Sequence, residues 1–95
     1  MQVQDFCRQM KQQIETFRES VSKIEQKLDA GGTAAKGRIL PIVGDIKQLV
    51  MELSIENARL DEECPSDWSG DKSRMEGLMG RIGSQIDQIW SDIFK

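Results

Sequence analysis

The chain has 95 residues, 13 Lys+Arg against 16 Asp+Glu for a net charge of −3, two Cys, and neither His nor Tyr. That length fits one domain with a small core, and a hydrophobic fraction of 38% is too high for disorder. Without histidine the chain lacks the commonest general base and metal ligand, and its acidic balance argues against a nucleic-acid footprint.

The opening Met1-Gln-Val-Gln-Asp-Phe6 carries no basic or apolar leader, and apolar runs stop at two or three residues. A spanning helix needs roughly 20. The expectation is a cytoplasmic protein with no membrane span, whose export would need a route without a cleaved signal.

Apolar residues in the first segment fall at Val3, Cys7, Met10, Ile14, Phe17, Val21, Ile24 and Leu28. These alternating steps of four and three form a 3.5-residue repeat, which puts them on one narrow stripe of a long helix. Gly31-Gly32 then supplies a cap and Thr33 a new start, the signature of a helical hairpin. If the chain turns there, residue 7 faces about residue 56. Cys64 lies eight residues further on, roughly 12 Å along the axis, too far for a disulfide with Cys7. Two free thiols are expected.

The second segment puts Ile39, Ile42, Val43, Ile46, Leu49, Val50, Leu53 and Leu60 on one broad face. Leu40, Met51, Ile55 and Ala58 project elsewhere and form a second apolar strip, the mark of a helix with more than one neighbour. Pro41 either kinks this helix or occupies the first turn of a helix beginning near Leu40; the good helical start at 33–36 favours the kink.

Cys64-Pro-Ser-Asp-Trp-Ser-Gly-Asp71 is dense in turn residues and reads as a loop over 64–71. A third heptad run follows at Met75, Met79, Ile82, Ile86, Ile89 and Ile93, with Ser73 of a capping box or Asp71 as its cap. Gly77, Gly80 and Gly83 point in different directions, so they read as a pliable helix and not as a groove or a phosphate loop.

No sequence pattern sets a base beside Cys7 or Cys64 for nucleophilic chemistry. Glu62, Glu63, Cys64 and Asp67 lack the spacing of a zinc or calcium site and read as a solvated acidic helix end. Glu15 with Glu19 and Glu52 with Glu56 are like-charge pairs at helical spacing, outside the main seams.

Trp68-Ser69-Gly70 between two long amphipathic helices resembles the WxG family of small helical proteins of type VII secretion. With Ser66-Asp67 ahead and an amphipathic helix behind, it is most similar to the coiled-coil accessory partners of LXG toxins. The resemblance implies that Trp68 packs at a helix–helix turn, that Gly70 permits the bend, and that the protein escorts a larger helical partner to export. Two departures stand: the motif lies late in the chain, implying three helices, and with no Tyr the export signal must sit on the partner.

The sequence therefore predicts a single all-α domain over 1–95, an antiparallel hairpin plus a third helix (near 3–29, 34–62 and 71–94) with coiled-coil seams. A compact bundle and an extended third helix both remain open. The predicted function is non-enzymatic protein–protein interaction, as a dimerising or heteromeric partner or chaperone, with no catalytic residue, cofactor or metal. Its partner-binding residues are Leu40, Met51, Ile55, Trp68, Gly70, Trp90 and Phe94. The alternatives are a stand-alone coiled-coil scaffold without export, and a small ligand-binding or thiol-dependent protein using the Cys64 region.

Overall fold

The computed structural model describes residues 2–30 and 33–93. Three helices, α1 (Val3–Ala30), α2 (Thr33–Glu63) and α3 (Ser69–Ile93), form an all-α bundle, a rod of 50 × 18 × 17 Å. A 28-residue helix is about 42 Å long, so each helix runs nearly the full length of the rod. α3 folds back along α2, giving the compact alternative; α2 packs broadly on both neighbours, and the contact between α1 and α3 is thinner. Phe94 and the Gly31-Gly32 turn lie outside the described residues.

The heptad positions become the core because only one stripe of each helix can face the bundle axis. From α1, Cys7, Met10, Ile14, Phe17, Val21, Ile24 and Leu28 are buried, with Val3 packed at their edge. From α2 come Ile39, Val43, Ile46, Val50, Leu53 and Leu60, and from α3 Met75, Ile82, Ile86 and Ile89. Burial of each large side chain contributes about 2 kcal/mol. Phe6, off the 3.5-residue repeat, is buried as well. Asn57 is the one buried polar residue among those described, and it continues the α2 repeat between Leu53 and Leu60.

α2 is continuous from Thr33 through Pro41, the start that residues 33–36 favour over one near Leu40. One boundary is corrected: the loop is shorter than 64–71, because Asp67 caps α3 in place of Asp71 or Ser73. Asp67 Oδ1 accepts from the Ser69 N–H (3.3 Å) and hydroxyl (2.9 Å), and the Lys72 N–H donates to Trp68 O at 2.9 Å. The side-chain and backbone hydrogen bonds from Ser69 hold the Asp67 carboxyl below its ordinary pKa.

The chain leaves α2 through Cys64, whose φ of 43° is left-handed, while its N–H donates to Leu60 O at 3.0 Å. Pro65 follows and disfavours helical geometry at Cys64, so the helix ends there. This corrects the role given to Gly70: it lies in the first turn of α3, with no positive φ, and the reversal is made before it.

Candidate interaction surface

Once the seams are closed, three large apolar side chains stay in solvent on α2: Leu40 is 43% exposed, Met51 61% and Ile55 62%. They are the predicted second strip, and Ala58 is exposed beside them. A Met and an Ile set one helical turn apart and both mostly exposed form a patch, which marks a contact surface more often than scattered single residues do. The strip borders a groove of about 290 Å³ between α1 and α2, walled by Arg18, Val21, Glu25, Lys47, Met51 and Ile55. Its charges are already paired. Lys47 Nζ lies 3.1 Å from the Glu25 carboxylate, and the Arg18 guanidinium 3.4 Å from Glu15 and 3.5 Å from the Ser54 hydroxyl.

Trp68 plugs the end of the bundle where α2 turns into α3. Its ring is half-buried, tilted 48° against Phe6 with centroids 5.2 Å apart, and the Lys72 ammonium lies 5.9 Å from its centroid. Trp90 packs half-buried on the core near Lys23, Lys27 and Ala30 of α1. Both tryptophans thus fill gaps within this chain and keep only part of their surface outside. Gly70 is exposed, with open space where a Cβ would stand.

Beside Trp68, four charges close a ring between α2 and α3. The Arg74 guanidinium lies 2.7 Å from Glu56 and 3.0 Å from Asp71, and that of Arg59 lies 2.7 Å from Glu56 and 3.9 Å from Asp71. Glu56 is therefore more than half of a repelling pair with Glu52: it joins two helices. The spacing of Glu56, Arg59, Asp71 and Arg74 across a loop carried no signal of this, because the ring exists only after α3 folds back.

Asn57 and Cys7 join α1 to α2. The Asn57 Nδ2 donates to Cys7 O at 3.1 Å, the Cys7 thiol lies 3.8 Å from Asn57 O, and Asn57 Oδ1 is buried without a partner. The hairpin arithmetic placed residue 56 opposite Cys7, one residue from the observed partner. A polar residue breaks the apolar pattern at Asn57, yet a heptad count through Leu53 and Leu60 lands on it.

Both cysteines are free. Burial pushes the Cys7 thiol up from its ordinary pKa, and the nearby Asp61 and Cys64 add to the shift, so Cys7 is held protonated and shielded from reagents. Cys64 is exposed, its thiol 3.0 Å from Asp61 O. Among the described residues no three acidic or thiol side chains converge as a metal site would require, and no helix is long and apolar enough to cross a membrane.

Fold and surface together define a small helical bundle with an outward-facing apolar strip. Compared with protein-family models, with curated proteins and with solved structures, the chain has no match in any of the three.

Proposed function

We propose that this protein is a non-enzymatic helical interaction module whose α2 strip receives a helix of another protein chain. The observation that carries this reading is the exposure of Leu40, Met51 and Ile55 on a helix whose other large apolar residues are packed inward. A helix laid along them would bury apolar area, with the Lys47–Glu25 and Arg18–Glu15 pairs at its margin. The narrower form, an escort for a larger helical protein in type VII secretion, draws support from Trp68, which packs at a helix–helix turn as the resemblance implies. Gly70, being helical, lends it none.

The test is photo-cross-linking in the cells that make the protein, with a photoreactive residue at Ile55 and, as control, at exposed Asp87 on α3. A protein adduct at residue 55 and none at 87 is expected. No adduct at 55, or equal labelling at both sites, would defeat the reading. An adduct with a long chain that has a helical N-terminal region and a toxin-like C-terminal region selects the escort over a scaffold without export.

A further inference from the structure

The exposed face of α2 holds more than three large side chains. At 100° per residue, Gly37, Leu40, Gly44, Lys47, Met51, Ile55 and Ala58 fall within an arc of about 80°, and all seven are exposed. Gly37, Gly44, Met51 and Ala58 recur every seven residues, so α2 carries a second, outer seam in addition to the one it buries. Open space lies over Gly37 and Gly44 where a Cβ would be, so the bundle itself makes no use of their smallness. Both nevertheless weaken the helix relative to alanine. The seam's one charge, Lys47, is neutralised by Glu25 of the same chain at 3.1 Å.

We infer that this outer seam pairs with the same seam of a second copy of this chain, the two α2 helices running antiparallel about a two-fold axis near residues 47 and 48. The inference rests on the interaction-module reading and names its partner. The order of residues along the seam selects the arrangement. In the antiparallel register Met51 of one copy faces Gly44 of the other on both sides of the axis, so the central bulky side chain drops into a gap, while towards the ends Leu40 faces Ile55 and Gly37 faces Ala58. A parallel pair would set Met51 on Met51 and Gly44 on Gly44, bulge against bulge and gap against gap. The antiparallel pair is isologous and closes on itself. It also brings Lys47 and Glu25 of both copies to the axis, where opposite charges are available across the interface. From Gly37 to Ala58 the seam is about 32 Å long, and with its flanks it covers roughly 500 Å² per copy. That is the low end for a specific interface, so the pair is weak and concentration-dependent.

Sedimentation from about 10 µM to about 1 mM is expected to show a monomer–dimer equilibrium with its midpoint in the upper half of that range. Met51→Glu should weaken it at least about tenfold. Gly44→Gln should also weaken it while raising the melting temperature of the monomer, because it fills the gap meant for Met51 and improves the helix. With Cys7 and Cys64 replaced by alanine, Gly44→Cys plus Met51→Cys should oxidise to a covalent dimer, and Met51→Cys alone should not. A folded monomer at about 1 mM, or a dimer insensitive to both Met51→Glu and Gly44→Gln, overturns the inference, as does a covalent dimer from Met51→Cys alone. Failure here with an Ile55 adduct to a different protein leaves the interaction-module reading standing; failure of both removes both.

Discussion

Asn57→Leu should stabilise the bundle, which is the reverse of what removing a buried hydrogen bond usually does. Asn57 is 7% exposed at a core position of α2, its Nδ2 bonded to Cys7 O and its Oδ1 without a partner. Losing the Nδ2 bond costs about 1 kcal/mol. Cys7 O is not orphaned by the change, because it lies inside α1, where the helix ladder supplies it a donor. Removing the unpaired Oδ1 recovers about 1 kcal/mol of desolvation, and a buried leucine adds about 2 kcal/mol of apolar transfer. The net gain is about 2 kcal/mol, which for a domain of this size raises the melting temperature by about 10 °C. Urea unfolding followed by circular dichroism reads it as a higher midpoint at unchanged slope. A lower or unchanged midpoint would refute the reasoning and show that the Asn57–Cys7 link contributes more than its geometry indicates.

Trp68→Ala should destabilise by about 2 kcal/mol, less than a fully buried tryptophan would, since the ring is only half covered and packs chiefly on Phe6; the same unfolding assay measures it. Gly77→Ala and Gly80→Ala should each stabilise by about 0.5–1 kcal/mol in thermal melts, because both sit in α3 with open space where the Cβ enters. With a thiol reagent at neutral pH, Cys64 should react promptly and Cys7 only on unfolding, seen as one equivalent in native buffer and two in denaturant. The cap at Asp67 sets an acid limit. Its folded pKa is lowered, so the stabilisation is present above the unfolded carboxyl pKa and is lost as pH falls through the folded value. Helical signal measured between about pH 5 and pH 2 should show this loss, and Asp67→Asn should remove that component.

The three helices were legible in sequence because one physical constraint, an apolar stripe every 3.5 residues, acts on each helix alone. That stripe named nearly all the buried residues of α1, and the Gly31-Gly32 turn predicted the α1–α2 register to within one residue at Cys7. It also predicted the strip of Leu40, Met51 and Ile55, since a residue off the inward face of a helix has only solvent or another chain to meet. Folding α3 back along α2 decided the rest. Phe6 lies off the heptad and is buried because Trp68 comes down on it from a loop 62 positions later in the chain. The ring of Glu56, Arg59, Asp71 and Arg74 likewise needs two helices in place before any of its cross-helix distances exist. Gly70 suggested a bend, but conformational freedom is only a permission, and the chain turns at Cys64, which takes a left-handed φ ahead of Pro65, a residue that disfavours helical geometry before it. Local periodicity is thus set by the sequence of each segment, whereas end-plugs, charge networks and turn positions depend on which surfaces meet.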